Sequence, residues 1–319
     1  MPNLNKHMST NTVIIPSYNQ AQYIANCIES ISAQTKKALQ IIVVDDNSSD
    51  DTAKIIKPYL KKVTFIRHKK NYGSYAYTYN TGVRHAKGDY IIIVSADDKL
   101  APTILEKEAA ILDQNPQIGL VYSQSFSVED SKNILKVHKS AGHKSYVGRP
   151  NDFELLLTQG DFISSINALV RRSVYQKLGL FDTKLRYMAD YEMWIRIAQQ
   201  YKLAYIAKPL TYYTIHGNNL HLNSDFAKIT RKEFEYILKK YLPKKDHGAD
   251  LTKTKQLAYY NFYLKLTAEA ILASNSGQAI SFWLKALKLK PYSILTYKAL
   301  QPAYFATRKF VSKKHPSKI

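Results

Sequence analysis

The sequence predicts an α/β fold: a mostly parallel sheet with helices on both faces, followed by a C-terminal helical extension. Three observations indicate this fold. Short apolar runs alternate with helix-like segments over about 90 residues near the start of the 319-residue chain. Polar motifs directly follow three of those runs, as expected where parallel strands end at one edge of a sheet. After about residue 224 the strand pattern disappears and helical spacing remains.

The alternation depends on four predicted strands, each a nearly continuous apolar run of the kind found in sheets buried on both faces. We expect the first to stop at Pro16, where the run meets a turn former. The first helix places Ile24, Cys27, Ile28 and Ile31 on one face. The strands are predicted at 13–15, 41–44, 63–66 and 90–94, and the intervening helices at 20–34, 51–60 and 74–85.

The following segments extend the same architecture. Residues 126–150 are irregular and basic, which indicates a flexible loop or a hairpin over the sheet edge where the polar motifs lie. Further helices are predicted at 103–114, 151–160, 171–178 and 189–201, and further strands at 119–123, 203–207 and 210–215. We therefore divide the chain into a sheet-based domain at 10–224 and a basic, mainly helical region at 225–319.

The chain is strongly basic, with 46 Lys and Arg against 25 Asp and Glu and a formal net charge of +21. Such an excess indicates an anionic partner: phosphorylated substrates, an anionic membrane face or nucleic acid. Solubility combined with a lysine-rich composition is the alternative explanation. The surplus is concentrated after residue 226, where 19 Lys or Arg stand against 5 Asp or Glu. It therefore lies away from the half that carries the polar motifs.

Cys27 is the single cysteine, so an internal disulfide is excluded, which fits a reducing compartment. The first residues are polar and contain no apolar run of signal-peptide length. No stretch reaches the ~18 apolar residues that a membrane span requires. We expect a cytoplasmic protein, soluble or peripheral on the inner face of the cell membrane.

Two pairs of carboxylates follow predicted strands. Asp97-Asp98 comes directly after 90–94 and can hold a divalent cation that bridges two phosphates. Asp45-Asp46 comes after 41–44 and can accept a hydrogen bond from a base imino group or from ribose hydroxyls. Helix capping for the first pair and turn chemistry for the second are the structural alternatives.

Polar residues in the second half are also candidates. Asp190 begins the helix at 189–201, where it either caps the helix or acts as a general base toward an acceptor hydroxyl. Arg196 either reaches a pyrophosphate or pairs with Glu192, four residues earlier. His216 follows the strand at 210–215 and is either a metal ligand or a surface residue.

Taken in order, these motifs resemble glycosyltransferase family 2, the inverting enzymes with the Rossmann-like GT-A fold. Each motif is weak alone, whereas the ordered set, spread over about 11–222, is specific. The segments are VIIPSYN (13–19), IVVDDNSSDDT (42–52), NYG (71–73), NTG (80–82), AKGDYI (86–91), SADD (95–98), VRRS (170–173), GLFD (179–182), DYEMWIR (190–196) and YTIH (213–216).

The resemblance implies roles for individual residues. Asp45 is expected to contact the donor base, and Asp46 the nearby ribose or loop. Asp97 is expected to bind Mn²⁺ or Mg²⁺ on the diphosphate, with His216 completing the metal or the diphosphate site, and Asp190 to be the catalytic base. The implied donor-binding residues also include Pro16, Ser17, Tyr18, Asn19, Asn71, Gly73, Ser95 and Ala96. The implied acceptor or diphosphate side includes Asp98, Glu192 and Arg196.

Two departures from the family pattern bear on these roles. The acidic motif often reads Asp-x-Asp-Asp, but Ser95 holds its first position here. Asp97 is therefore expected to carry the cation nearly alone, with weak metal affinity. The spacing from Gly73 to Asn80 is one residue longer than the family pattern leads us to expect, which leaves the roles of Asn71 and Asn80 open.

The predicted reaction is a single in-line displacement that moves a sugar from a nucleotide-diphosphate donor to a hydroxyl group and inverts the anomeric carbon. The resemblance favours a UDP-sugar donor, with thymine or guanine left open. It also favours a glycan or lipid-linked glycan acceptor in surface polysaccharide biosynthesis. An anionic membrane surface is a further candidate partner, and no nucleic acid partner is expected.

Two alternatives come from other classes of protein. A sugar nucleotidyltransferase would carry a glycine-rich loop after the first strand to hold a triphosphate, but that position reads PSYNQAQYI. A nonenzymatic binder of nucleic acid or anionic surfaces is suggested by the charge alone. The location of the charge, after residue 226, argues against this second alternative.

Overall fold

A ten-stranded sheet organises the described residues of the computed structural model, which are 9–129, 133–138, 142–217, 219, 225–242, 249–272 and 275–291. The strands are β1 (Asn11–Ser17), β2 (Gln40–Asp45), β3 (Thr64–Arg67), β4 (Tyr90–Ile93), β5 (Lys99–Leu100), β6 (Ile118–Glu129), β7 (Asn133–His138), β8 (Tyr146–Val147), β9 (Ala168–Arg171) and β10 (Lys202–Ile215). Their spatial order is β3-β2-β1-β4-β9-β6-β10-β5, with β7 beside β6 and β8 beside β10.

Helices flank this sheet and continue after it. They are α1 (Ile24–Ser32), α2 (Thr52–Ile56), α3 (Tyr75–His85), α4 (Ile104–Gln114), α5 (Asp152–Gln159), α6 (Arg172–Leu178), α7 (Ala189–Ala198), α8 (Phe226–Tyr241), α9 (Ala249–Leu272) and α10 (Ser276–Leu289). The predicted α/β fold with a mostly parallel sheet is confirmed.

The parallel block β3-β2-β1-β4 has both faces covered, as its apolar sequence predicts. Alternate residues of a strand point to opposite faces. Val13 and Ile15 join the core formed with α1 and α4. On the other face Ile14 meets α3, where a Cβ on Gly82 would lie 2.4 Å from Ile14 Cγ2. Glycine at that position therefore permits the close approach of α3 to β1.

The first strand does not stop at Pro16, as predicted, but continues to Ser17. The backbone of Ile14 bonds toward β4, since Val94 donates to its carbonyl at 2.9 Å. The backbone of Pro16 also faces β4, because the backbone groups of residues two apart on a strand point toward the same neighbouring strand. The registered pairing of β1 with β4 has already ended at Ile14. The missing N–H of Pro16 therefore costs the sheet no hydrogen bond.

Later strands also differ from the prediction. β10 is one strand with register shifts around Pro209, not two strands, because its pairing with β6 resumes after the proline. β6 continues to Glu129 and forms an antiparallel hairpin with β7. Of the two alternatives predicted for residues 126–150, a loop or a hairpin, the hairpin is observed where β6 pairs with β7. β5, β8 and β9 were not predicted. β5 and β8 have two residues each, which carry too little periodicity to detect. The four residues of β9 run directly into α6, where a helix from residue 171 was predicted.

The chain divides into two compact units, Met1–Phe153 with Asp161–His216, and Glu154–Gly160 with Gly217–Ile319. In the second unit Phe234 of α8 stacks on Phe262 of α9, with 4.0 Å between ring centroids. Leu264 of α9 and Ala286 of α10 share a small core. None of the helices in the described part of the chain is both long and apolar enough to cross a membrane. The domain boundary at 224/225 stays a prediction.

Candidate active site

The loops that follow β1 and β2 are hydrogen-bonded to each other at the carboxyl edge of the sheet. Asn19 and Asn47 adopt left-handed backbone, with φ of 54° and 64°, a region in which asparagine is enriched. The Asn19 amide donates to Ser48 Oγ at 2.8 Å, and Asn19 Oδ1 accepts from the Ser49 amide at 2.9 Å. Two of the predicted donor-binding segments therefore form one connected surface.

The residues at the end of β1 differ in accessibility. Pro16 and Ser17 are buried, whereas Tyr18 is 46% exposed. Ser17 accepts the Asp46 amide on its carbonyl oxygen at 2.8 Å. Its hydroxyl is buried and has no hydrogen-bond partner within the described residues. Of these three side chains, Tyr18 is therefore the one that is accessible to solvent.

Asp45, predicted to contact the base, is fully buried and already engaged by protein groups. Its carboxylate accepts from the Ser48 hydroxyl and from the Ser48 amide at 3.2 Å. Arg67 Nε lies 3.3 Å from Asp45 Oδ2, and Arg67 Nη2 donates to the Ser48 carbonyl at 2.6 Å. A direct contact between Asp45 and a base therefore requires Ser48 or Arg67 to move.

Asp46 binds the loop that follows β3. Its Oδ1 lies 2.7 Å from His68 Nδ1, and its Oδ2 accepts from the amides of Tyr72 at 2.9 Å and Gly73 at 3.3 Å. Asn71 also lies in this loop and accepts the Gly73 amide on its side-chain oxygen at 2.6 Å. Of the two roles that the resemblance left open for Asp46, the structure shows the loop contact.

Asp97 and His216 lie together, although 119 residues separate them. Asp97 Oδ2 is 2.9 Å from His216 Nε2, and both side chains are largely buried. The ring of Tyr23 stacks on His216, with centroids 4.9 Å apart and planes 20° apart. This contact brings the end of β10 to the turn that follows β4.

Asp98, the next residue, bonds to the backbone of β10. It is 1% exposed and accepts the Thr214 amide of β10 at 2.8 Å. Burial, followed by the negative charge of Asp97, raises the pKa of Asp98 well above its usual value. Ala96 of the same turn is buried, and the Ser95 carbonyl accepts from the buried thiol of Cys27 at 3.6 Å. These contacts support a structural role for Asp98.

The donor atoms of Asp97 and His216 are the types that bind divalent cations. The described residues contain no group of three or more His, Cys, Asp or Glu side chains placed to hold a metal ion. One carboxylate and one imidazole fit a cation that takes its remaining ligands from diphosphate oxygens and water, as Mg²⁺ commonly does.

Asp190 lies in the first turn of α7, where its Oδ1 accepts the amide of Tyr191 at 2.8 Å. Desolvation raises the pKa of Tyr75, and the charges of Asp97, Asp98 and Asp190 raise it further. The same phenol therefore lies within electrostatic reach of the acidic turn after β4 and of Asp190. The charges of the predicted cation ligand and of the predicted base therefore both act on Tyr75, at the start of α3.

A buried amide ties α3 to the segment that leads into α7. Asn80 Nδ2 donates to the Phe181 carbonyl, and Phe181 N donates to Asn80 Oδ1, both at 2.9 Å. In α7 Arg196 pairs with the fully buried Glu192 at 2.8 Å and donates to the carbonyls of Leu178 and Leu180. The pairing alternative for Arg196 is the one observed, and it supports a structural role for both residues.

Sequence reasoning missed three contributors to this region. Arg67 and His68 stand directly at the end of β3, at the same sheet edge as the recognised motifs, and that position was a usable signal. Tyr23 carries no signal, because its contact with His216 depends on how α1 sits relative to β10.

This fold and its clustered acidic residues are those of a GT-A glycosyltransferase. TarS of S. aureus, solved with UDP-GlcNAc, superposes with a TM-score of 0.59 at 15% identity over 88% of this chain and 90% of that one. A mannosyltransferase of Pyrobaculum calidifontis, solved with GDP-Man and Mn²⁺, superposes with a TM-score of 0.56 at 19% identity over 97% and 82%. These likenesses confirm the predicted fold.

Sequence comparison then gives the family. The model described as "Glycosyl transferase family 2" matches residues 12–179. An uncharacterised glycosyltransferase of Methanocaldococcus jannaschii is 31% identical over 80% of this chain and 87% of its own length. The chain belongs to glycosyltransferase family 2 and is a glycosyltransferase. This result decides against both the nucleotidyltransferase and the nonenzymatic alternative.

Proposed function

We propose that the protein transfers a sugar from a UDP-sugar to a hydroxyl of a glycan or lipid-linked glycan, with inversion at the anomeric carbon. The observation that carries the proposal is the pairing of Asp97 with His216 at 2.9 Å at the carboxyl edge of the sheet, with Asp190 in the first turn of α7; the charges of Asp97 and Asp190 both raise the pKa of Tyr75. Such a site holds a negatively charged leaving group on one side and a base for the incoming hydroxyl on the other.

In the proposed reaction Asp190 accepts the proton of the acceptor hydroxyl as that oxygen attacks the anomeric carbon. The bond from this carbon to the diphosphate oxygen breaks, and its electron pair leaves with the nucleoside diphosphate. The single displacement inverts the configuration. Asp97 and His216 would hold a divalent cation, which when bound supplies positive charge that offsets the departing diphosphate.

The donor base is proposed to be uracil. TarS was solved with UDP-GlcNAc, whereas the mannosyltransferase was solved with GDP-Man, so guanine is the competing base. Thermal shifts with UDP, GDP, CDP and dTDP, each with Mn²⁺, test the proposal. We expect UDP to raise the melting temperature most, because binding to the folded state alone stabilises it. A larger shift with GDP would overturn the choice of uracil.

The base assignment predicts that Asp190→Asn lowers transfer by at least ~10²-fold, because an amide cannot take the acceptor proton. Affinity for UDP, measured by calorimetry, should stay near the wild-type value, since the base acts only in the chemical step. Asp182→Asn is the matched control: it makes the same change on the approach to α7, at a carboxylate that accepts the Lys184 amide at 3.0 Å. Wild-type turnover in Asp190→Asn would rule the assignment out.

The cation assignment predicts that Asp97→Ala lowers Mn²⁺ affinity at least ~10-fold, since loss of a group that only orients a metal ligand already costs about 10- to 100-fold. Titration of the protein with Mn²⁺, followed by electron paramagnetic resonance, measures this directly. Ser95→Asp should tighten Mn²⁺ binding, because it supplies the carboxylate that the family pattern has at the first position of the turn. The exposed Asp113 provides the control Asp113→Ala. Unchanged Mn²⁺ affinity in Asp97→Ala would place the metal elsewhere.

We further propose that the acceptor is lipid-linked, that the enzyme acts in surface polysaccharide biosynthesis, and that the second unit docks on the anionic cytoplasmic face of the membrane. Ile280 and Leu284, one turn apart on α10, are 59% and 49% exposed. Lys285 and Lys288 follow on the same helix. Exposed apolar side chains beside lysines suit an anionic interface, where each basic residue contributes up to ~1 kcal/mol.

This docking predicts that the protein cosediments with anionic vesicles at low salt and not with neutral ones. Replacing Ile280 and Leu284 together with Gln should reduce the bound fraction severalfold, because the apolar contribution is lost. Ile134→Gln is the matched control, since Ile134 is equally exposed at 59% but lies on β7. If the wild-type chain ignores anionic vesicles at low salt, where attraction is least screened, docking is wrong.

A further inference from the structure

We propose that His68 is a positioning residue for the donor: by bridging Asp46 and Thr81 it holds the loop at residues 68–73 in the conformation that receives the nucleotide. The inference rests on the proposed donor site at the carboxyl ends of β1 and β2. It assigns a function to a residue that none of the recognised motifs includes.

Both ring nitrogens of His68 are engaged. Nδ1 lies 2.7 Å from Asp46 Oδ1, and Nε2 lies 3.0 Å from Thr81 Oγ1. An ionised carboxylate can only accept, so Nδ1 carries a proton, and the Thr81 hydroxyl can either donate to Nε2 or accept from it. The side chains of His68 and Asp46 are 11% and 8% exposed. Hydrogen bonds to a charged group in such a shielded position are among the stronger ones.

The bridge joins three elements. Asp46 directly follows β2, His68 directly follows β3, and Thr81 lies in α3. The His68 amide also donates to the Asp45 carbonyl at 2.8 Å, so its backbone is fixed as well as its ring. The first residue of the loop is thereby tied both to the end of the neighbouring strand and to the helix that covers the sheet.

The same carboxylate fixes the other end of the loop. Asp46 Oδ2 accepts the amides of Tyr72 and Gly73, and Gly73 has a φ of +66° that favours glycine. The contact of Asp46 Oδ1 with His68 holds the carboxylate in the orientation in which Oδ2 accepts both amides. If the His68 contact is lost, the carboxylate is free to turn, and the amides of Tyr72 and Gly73 lose a fixed acceptor.

The loop presents an exposed aromatic ring. Tyr72 is 42% exposed, although it stacks on Tyr77 with centroids 4.4 Å apart and meets the edge of His68 at 5.1 Å. A partly exposed ring that is already ordered binds a ligand with little loss of side-chain freedom. The loop also carries Asn71 and Gly73, which the family resemblance places on the donor side. We therefore expect the conformational order of the loop at residues 68–73 to affect donor affinity more than the rate of the chemical step.

Two substitutions separate the halves of the bridge. In His68→Asn the amide nitrogen takes the place of Nδ1 and keeps a donor for Asp46, but the side chain is too short to reach Thr81. In His68→Gln the amide nitrogen takes the place of Nε2 and reaches Thr81, but nothing faces Asp46. Thr81→Val removes only the outer contact, and the exposed His85 provides the control His85→Asn on α3.

The test measures the dissociation constant for UDP by calorimetry and the rate of donor consumption at saturating UDP-sugar, with thermal melting as a check of folding. We expect His68→Gln to weaken UDP binding about tenfold, which is the loss of one good hydrogen bond. His68→Asn and Thr81→Val should weaken it about threefold or less, and His85→Asn should leave it unchanged. The rate at saturating donor should stay within about twofold throughout.

Two results would overturn the inference while leaving the proposed function intact. One is wild-type affinity for UDP in His68→Gln. The other is equal impairment of His68→Asn and His68→Gln in affinity, saturated rate and melting temperature together, which a packing role alone produces. Failure of the wild-type protein to bind UDP at all would instead overturn the proposed uracil donor.

Discussion

The parallel pairing of β1 with β2 on one side and β4 on the other is the constraint on which the rest of the structure depends. It is set by buried Val and Ile side chains, each of which contributes about 1.5–3 kcal/mol on full burial. Because the three strands run the same way, the chain leaves all of them at one edge, and the motifs at 16–19, 45–48 and 95–98 follow there. An apolar pattern on the strands therefore determines where the polar chemistry is assembled.

The helix α3 is hydrogen-bonded to several segments at this edge of the sheet. Two adjacent residues of the helix face different partners: Thr81 bonds His68 at the end of β3, and Asn80 bonds the backbone of Phe181. Ser74, at the start of the helix, donates to the carbonyl of Leu185 on the way to α7. The proposed nucleotide side and the side that carries Asp190 are therefore both hydrogen-bonded to one helix, which approaches the sheet closely at Gly82. The NTG motif is thus an architectural part of the site.

Much of the fold, but less of the candidate site, could be predicted from the sequence. Each of the first four strands was visible, because a continuous apolar run bounded by polar residues leaves little choice. β9 was not visible, since it is short and joins the sheet in antiparallel fashion between β4 and β6. Asp97 and Asp190 were recognisable by their motifs, but the pairing of Arg67 with Asp45 and of Tyr23 with His216 depends on tertiary contacts that no local pattern encodes. Hydrophobic periodicity indicates which residues are buried, but it does not indicate which side chains contact each other across loops.

The single cysteine, Cys27, has a practical consequence for spectroscopy. It is fully buried in α1, and burial, followed by the charges of Asp98 and Asp97, raises the pKa of its thiol well above the usual value. Because the thiolate is the reactive form, this side chain should resist alkylating reagents while the protein is folded. We therefore expect the folded wild-type protein to react very slowly with maleimides. A cysteine introduced at an exposed position such as Leu39, which is 57% exposed, would take a fluorophore or spin label alone.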